Sequence, residues 1–153
     1  MANPITFSST TPNAGLPLLF SGQSQKEFFI NQSLETIDAL LSKAVESSSS
    51  APPSDPGDGA CYLVAPDATA EWSGRADHIA VRIAGGWHFV APTEGMELYD
   101  RATEQTLIFR SQWIRSAAPT NPAGGTVIDT EARTAIIGLI EALKSAGVLT
   151  EPT

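Results

Sequence analysis

The sequence predicts an α+β fold: an N-terminal arm and an amphipathic helix packed on a small antiparallel β-meander, plus a linker-tethered C-terminal helix. Residues 22–45 and 130–149 repeat apolar side chains every three or four positions, the spacing of one helix face. Residues 59–114 instead alternate apolar and polar side chains, which is typical of half-buried strands. The 153 residues therefore divide into an arm (1–20), an α+β domain (21–114), a linker (115–129) and a terminal helix (130–149).

The arm is mostly polar, but it ends in an apolar run, residues 16–20. Apolar side chains on an extended segment need a partner surface. We therefore expect Leu16, Leu18 and Phe20 to dock on such a surface.

The stretch Gly22-Gln23-Ser24-Gln25-Lys26 places a glycine and a lysine near a helix start. It is not a phosphate-binding P-loop, because it has one glycine and no Ser or Thr follows the lysine. We instead expect Gln23, Gln25 and Lys26 to hydrogen-bond loop backbone or a neighbouring subunit at this corner.

The first predicted helix covers residues 22–45. Its apolar stripe has spacings of 4, 3, 4 and 3 and consists of Ile30, Leu34, Ile37, Leu41 and Ala44. This stripe offers an apolar face to a sheet or to another chain. Ser24 and Glu27 have the spacing of a capping box, although the helix could equally begin near Ser21. Residues 46–58, rich in serine and proline, predict a loop, because they cannot bury enough apolar surface to fold alone.

The meander contains one hairpin with a predicted register. A three-residue loop, 84–86, places Ile83 opposite Trp87 and Val81 opposite Phe89, which makes one face wholly apolar. The remaining strands are predicted at residues 59–64, 96–99 and 106–109.

The C-terminal helix follows a linker rich in proline, glycine and alanine. Asp129 suits the N-cap of this helix, and Gly147 suits its C-terminal cap. Its apolar stripe again has spacings of 4, 3, 4 and 3 and consists of Ala132, Ile136, Leu139, Leu143 and Ala146, and Ile137 and Ile140 widen it. The helix either folds back on its own domain or joins copies of the chain in a bundle. The spacing favours the bundle, with Ile136, Leu139 and Leu143 at its interface.

The charge balance and the lone cysteine disfavour several functions. Acids outnumber bases by 17 to 9, and a net charge of −8 repels nucleic-acid phosphates. Cys61 is the single cysteine, so no internal disulfide can form. The N-terminus lacks a signal peptide, and no segment has the roughly 18 apolar residues of a membrane span. We therefore expect no membrane insertion, and a protein that stays in the cytoplasm or leaves it by another route.

No group of residues predicts catalysis, a cofactor or a bound metal. His78 and His88 are the only histidines, and they do not face each other in the predicted hairpin. A Gly-x-Ser-x-Gly nucleophile motif is absent, and no pair of catalytic acids can be placed.

Trp72 is the most suggestive aromatic residue. It precedes Ser73-Gly74, in a predicted loop. There it either stacks on a sugar ring or closes the end of the small sheet, and both interpretations stay open.

Several short motifs occur in the order typical of one family. The N-terminal part carries Leu16-Pro17-Leu18-Leu19, Gly22-Gln23-x-Gln25-Lys26-Glu27, Asn31, Leu34 and Ile37-Asp38-x-Leu40. The remainder carries Pro52-Pro53, Pro56-x-x-Gly59, Tyr62-x-Val64, Trp72-x-Gly74, Ile79-Ala80, Gly86-Trp87-x-Phe89, Pro92-x-x-Gly95 and Trp113. Over residues 16–114 the chain resembles an uncharacterised domain family of bacterial prophages, phage structural proteins and gene transfer agents.

This resemblance implies a virion component rather than an enzyme: a head-spike, fibre-base or tail-fibre adaptor subunit assembled in the bacterial cytoplasm. It implies a homo-oligomer, a trimer or a pentamer, that contacts capsid, portal, tail or fibre proteins and supports attachment to host polysaccharide. The family brings no catalytic residues and no cofactor to carry over. An alternative is a receptor-binding, lectin-like module in which Trp72 contacts the glycan.

Overall fold

The structure, a computed structural model, describes residues 9–126 and 128–150. It confirms the predicted α+β class, with one helix near each end of the chain and short strands between them. The helices are α1 (Lys26–Leu41) and α2 (Thr130–Ser145). The strands are β1 (Ala44–Val45), β2 (Ser48–Ser49), β3 (Cys61–Val64), β4 (Ile79–Ile83), β5 (Gly86–Val90), β6 (Glu97–Asp100), β7 (Gln105–Arg110), β8 (Gln112–Ile114), β9 (Ser116–Ala117) and β10 (Leu149–Thr150).

The chain forms two compact units, which divide between Pro92 and Thr93. This boundary falls inside the predicted meander of residues 59–114. Strands β2 to β5 form one sheet in the N-terminal unit, and β6 to β8 pair with one another in the C-terminal unit. Alternation of apolar residues predicts strands, but it does not say which strands share a sheet.

The first predicted hairpin forms, but its register differs from the prediction by one residue. Arg82 pairs with Trp87, and the turn is the two-residue Ala84-Gly85. Both turn residues have positive φ, 48° and 76°, which suits the twist of a two-residue hairpin. The predicted pairing of Ile83 with Trp87 is therefore wrong, because Gly86 belongs to the strand and pairs with Ile83.

Trp72 lies in the core of the N-terminal unit. It ends a short 3-10 helix, Ala70–Trp72, and its side chain is 0% exposed. Its ring packs edge-to-face against Trp87, with centroids 5.0 Å apart, and lies 6.0 Å from Tyr62. The interpretation of Trp72 as a glycan contact is therefore wrong for this structure, and the packing alternative holds.

Helix α1 is shorter at both ends than the predicted 22–45. Ser24 and Gln25 have φ of 58° and 66°, a left-handed conformation that a helix cannot continue. No side chain caps the N-terminus of α1, so the capping box predicted at Ser24 is wrong. The helix starts at Lys26 because two left-handed residues precede it.

The buried face of α1 is not the predicted apolar stripe. Its buried residues are Glu27, Asp38 and Ala39. Ile37 is 49% exposed and Leu41 61% exposed. The face toward the unit carries two carboxylates, whereas Ile30, Ile37 and Leu41 of the apolar stripe face outward and Leu34 is half-buried.

The C-terminal unit contains the second predicted hairpin, close to its predicted limits. Strand β6 pairs antiparallel with β7, and β7 with β8. Strands β9 and β10 form a separate parallel pair, with Leu149 beside Ser116. The predicted linker of residues 115–129 therefore contains one short strand.

Both ends of helix α2 are capped by the residues that the sequence predicts. The Asp129 carboxylate accepts a hydrogen bond of 2.8 Å from the Ala132 N–H, which confirms the N-cap. Gly147 has φ +69° and its N–H donates to the Lys144 carbonyl, while the Val148 N–H donates to Leu143. These two bonds form a Schellman motif and confirm the C-terminal cap, although the helix stops at Ser145 rather than at residue 149.

The exposed side of α2 carries the predicted stripe. Ile136 and Leu139 are 46% and 60% exposed, and Leu143 is half-buried. Ile140, which widens the predicted stripe, is the residue that this helix buries. The Thr106 N–H donates to the Gly147 carbonyl at 2.8 Å, so the end of the helix folds back on the hairpin of its own unit.

Candidate docking surface

The described part of the arm, residues 9–20, forms a small hairpin. The Thr11 N–H donates to the Leu16 carbonyl at 2.9 Å, and the Leu18 N–H donates to Ser9 at 3.0 Å. Residues 1–8 of the predicted arm lie outside the described residues. The arm therefore docks on its own unit from residue 9 onward.

Asp38 of α1 holds the turn of this hairpin. Its side chain is 1% exposed, and its carboxylate accepts hydrogen bonds from the N–H groups of Asn13 (2.9 Å) and Ala14 (2.6 Å). Burial alone raises the pKa of Asp38, but the bonds from Ala14, Asn13 and Thr11 outweigh it and hold the pKa below its ordinary value. An ionised Asp38 thus ties the arm to the helix.

Two more side chains fix the corner where the arm becomes α1. The Glu27 carboxylate accepts a 3.0 Å bond from the Gly22 N–H. Hydrogen bonds from the Glu27 and Gly22 N–H groups lower the pKa of Glu27. The Asn31 amide both accepts from and donates to the backbone of Leu19, at 2.8 and 3.0 Å.

The bonds that we expected from Gln23, Gln25 and Lys26 to loop backbone are not present, and their bonding to a neighbouring subunit stays a prediction. The side chains of Gln23, Gln25 and Lys26 are exposed, and within residues 9–126 and 128–150 none of them has a hydrogen-bond partner. The bonding residues Glu27, Asn31 and Asp38 follow one another by 4 and 7 positions, so they share one polar face of the helix. The spacing of these polar residues is visible in the sequence, but the apolar pattern of the same helix led to the prediction of a different buried face.

The corner exposes large apolar side chains. Phe20 is 57% exposed, Phe28 69% and Phe29 75%, whereas the predicted docking residues Leu16 and Leu18 are half-buried. A cavity of about 460 Å³ opens beside Phe28 and is also lined by Leu19, Asn31, Gln32, Glu35, Ile83 and His88. The corner thus combines a fixed backbone with accessible aromatic surface.

Glu35 and His88 are among the titratable side chains that line this cavity. His88 Nδ1 lies 2.9 Å from the Gln32 amide nitrogen, and His78 instead contacts the Ala76 carbonyl. Burial, and then the charge of Asp58, raise the pKa of Glu35. In the described ranges no three metal-binding side chains lie together, and no helix is long and apolar enough to cross a membrane.

A family model described as a protein of unknown function (DUF2793) matches residues 30–114, more than half of the chain. The chain belongs to the DUF2793 family. The DUF2793 match begins inside α1 and ends with β8, so Asn31 and Asp38 lie within it and Glu27 precedes it. No curated protein matches this chain.

Proposed function

We propose that this DUF2793 protein is a structural subunit of a phage or gene-transfer-agent particle, the base or adaptor of a head spike or fibre. The observation that carries the proposal is the outward-facing part of the apolar stripe of α1, Ile30, Ile37 and Leu41, which are 45%, 49% and 61% exposed. Large exposed apolar patches on soluble proteins mark surfaces that bind other proteins. The stripe is therefore assigned to docking on a particle protein, such as a capsid, portal or tail subunit.

The distribution of charge on α1 supports an apolar partner surface. The helix has three acids, Glu27, Glu35 and Asp38, and each is buried or half-buried on the side away from the stripe. The chain is acidic overall, with a net charge of −8, yet the stripe itself carries no carboxylate. Contact through this face therefore needs no desolvation of acids.

Helix α2 supports self-association of the same subunit. Ile136 and Leu139 are exposed, whereas Ile140 is buried in the unit. The helix has two acids and two bases between Thr130 and Ser145, so copies of it attract or repel one another little despite the acidic chain. A homo-oligomer, a trimer or pentamer, held by α2 would present several copies of α1 to one particle.

The particle assignment itself is supported by the resemblance over residues 16–114. We accordingly propose that the protein is part of the virion and is assembled in the bacterial cytoplasm. Attachment to host polysaccharide stays a prediction, because Trp72, the residue expected to contact the glycan, is buried.

The test compares one substitution on each helix. Ile37→Asp and Leu139→Asp change side chains of similar exposure, 49% and 60%. Because both positions are exposed, we expect each variant to fold, with an unfolding free energy within about 1 kcal/mol of the wild type. Ile37→Asp should form normal oligomers but be missing from purified particles, and Leu139→Asp should shift the mass in solution toward monomer.

The measurements are light scattering of the purified chain and quantitative mass spectrometry of particles produced with each variant. Normal incorporation of Ile37→Asp would contradict docking through α1. A monomeric wild type, or an unchanged mass for Leu139→Asp, would contradict self-association through α2. Particles of the producing strain that lack the wild-type chain would overturn the virion assignment.

A further inference from the structure

Strand β5 (Gly86–Val90) lies at the end of the sheet of the N-terminal unit, whose strand order is β2-β3-β4-β5. In the adjacent strand β4, the Arg82 N–H donates to the carbonyl of Ala60, on the β3 side. Because neighbouring residues of a strand direct their backbone groups to opposite sides, Val81 bonds toward β5, where it pairs with His88. The residues on either side of His88 therefore direct their N–H and C=O groups to the outer edge of the sheet.

Those two residues, Trp87 and Phe89, leave this edge open. In the part of the chain that the structure describes, their outward N–H and C=O groups have no hydrogen-bond partner. Natural proteins commonly protect such an edge with a lysine or a proline. The sequence of β5, Gly-Trp-His-Phe-Val, contains neither. The edge can therefore accept a further strand.

The side chains of Trp87 and Phe89 share one face of the sheet, and each ring carries a guanidinium. The Arg82 Cζ lies 5.2 Å from the ring centroid of Trp87, and the Arg75 Cζ lies 5.2 Å from that of Phe89. Trp87 is itself held by the buried Trp72, at 5.0 Å between centroids. Stacking on a ring orients a guanidinium and leaves its N–H donors, which lie in its plane, able to bind an anion.

Neither guanidinium is neutralised by a carboxylate. Among residues 9–126 and 128–150, no Asp or Glu forms an ion pair with Arg75 or Arg82. The chain has 17 acids and only 9 bases, so two unpaired bases beside one strand are a local reversal of its charge. This positive face favours an acidic partner.

A cavity of about 520 Å³ opens on the same face of β5. It is lined by Trp87, Phe89, Arg82 and the prolines of residues 52–56. Glu71, which is exposed, supplies the one carboxylate in the described lining. The cavity gives side chains of an added strand room beside the two aromatic rings.

We propose that β5 binds an extended acidic segment of a partner protein, which adds to the sheet as a further strand. Residues of this segment opposite Trp87 and Phe89 would place their side chains on the face of the two guanidiniums. Carboxylates at alternate positions therefore fit this edge. A second copy of β5 fits it less well, because it would bring two like-charged sets of guanidiniums together.

The test is amide hydrogen exchange, followed by NMR on the full chain, with the capped peptide Thr-Glu-Val-Glu-Val-Glu-Thr as the probe. We expect saturating peptide to slow exchange of the Trp87 and Phe89 N–H groups at least about tenfold, because each gains an acceptor. The His88 N–H already bonds within the sheet, so its exchange should change little. This alternation along β5 distinguishes strand addition from binding elsewhere.

Two control peptides separate backbone pairing from charge. Methylation of the backbone nitrogens of the three glutamates keeps the charge but removes the donors toward β5, and it should abolish the protection. Replacing the glutamates by lysines keeps the strand but reverses the charge, and it should weaken binding about tenfold or more.

Two protein variants locate the charge effect. Arg75→Gln, at an exposed residue, should fold normally and weaken binding of the acidic peptide about two- to fivefold. Arg110→Gln removes the same charge from β7, in the other unit, and should leave binding unchanged.

Absence of protection at millimolar peptide would overturn the proposal, as would equal binding of the methylated or the lysine peptide. Equal weakening by Arg75→Gln and Arg110→Gln would show a non-specific charge effect and overturn it too. Protection of Trp87 and Phe89 in the free chain that is lost on dilution would assign the edge to a second copy instead. The inference goes beyond docking through α1: Ile37→Asp should bind the acidic peptide normally, so the two proposals fail separately.

Discussion

The two helices of this protein have the same length and the same spacing of apolar residues, yet they use their faces differently. Helix α1 buries Glu27 and Asp38 and exposes its apolar stripe. Helix α2 buries Ile140 and is closed at its ends by Asp129 and Gly147. The comparison teaches that periodicity tells which residues share a face, whereas hydrogen-bonding partners elsewhere in the chain decide which face turns inward.

The largest expected effect concerns the buried polar face of α1. Asp38→Ala leaves the N–H groups of Asn13 and Ala14 without their acceptor, and we expect a loss of about 2–3 kcal/mol of unfolding free energy at pH 7. Urea denaturation followed by circular dichroism measures it. Asp67→Ala, at an exposed acid, is the control and should change stability by less than about 0.5 kcal/mol.

The difference in unfolding free energy between the wild type and Asp38→Ala should depend on pH. The pKa of Asp38 is lowered in the folded protein, so its stabilisation is present above the unfolded pKa of about 3.9 and is lost as the pH falls toward the folded pKa. The difference between wild type and Asp38→Ala should therefore shrink below about pH 4. A difference that stays constant down to acid unfolding would show that the carboxylate contributes nothing as an anion.

The end of α2 should be the next most sensitive position. A Cβ at Gly147 would lie 2.9 Å from the Glu104 carbonyl oxygen, in a backbone of φ +69°. We expect Gly147→Ala to cost about 2 kcal/mol, from the left-handed conformation and the collision together.

Gly95→Ala separates these two causes. Gly95 has φ +82°, but a Cβ there meets nothing within 4 Å. Thermal denaturation should show a loss of about 1 kcal/mol for this control, the conformational part alone. Equal losses for the two glycines would contradict the close packing of the α2 end on the hairpin.

The helix starts give a smaller contrast. Asp129→Ala removes the side-chain cap of α2 and should cost about 1 kcal/mol. Ser24→Ala, at the position predicted to cap α1, should change stability by less than about 0.5 kcal/mol, because no side chain caps that helix. A comparable loss of stability for Ser24→Ala would contradict this expectation and show that Ser24 caps α1.

The smallest expected effect has the opposite sign. Burial and the nearby Asp58 raise the pKa of Glu35, so the folded state disfavours its ionised form. Glu35→Gln should therefore raise the unfolding free energy at pH 7 by less than about 0.5 kcal/mol. This gain should vanish as the pH falls below about 4, where the wild-type residue is protonated in both states. Urea denaturation of the wild type and of Glu35→Gln at pH 7 and below about pH 4 measures this gain. A lower unfolding free energy of Glu35→Gln at pH 7 would contradict the prediction.

Features set by local chemistry were predictable from the sequence. Both helices, both hairpins, and the caps at Asp129 and Gly147 depend on residues a few positions apart. The register of the first hairpin was missed by one residue because Ala84, a non-glycine residue, adopts positive φ and shortens the turn. Such a conformation is uncommon for alanine, so spacing alone favours the longer loop.

Features that depend on distant partners were not predictable. The burial of Trp72 follows from Tyr62 and Trp87, which lie in other elements. The inward turn of Asp38 follows from amides about 25 residues earlier in the chain. The C-terminal unit likewise has a cavity of about 690 Å³, which is lined by the β6–β7 hairpin, by Arg115 and by the end of α2, and no motif in the sequence joins these residues.

The Asn31 amide has one more consequence. By accepting from the Leu19 N–H and donating to its carbonyl, it imitates a neighbouring strand and occupies the edge of the arm hairpin at that point. An open edge is a template on which other chains add as strands and aggregate. Asn31 therefore occupies the backbone groups of Leu19 and prevents a further strand from adding to the arm hairpin at that residue.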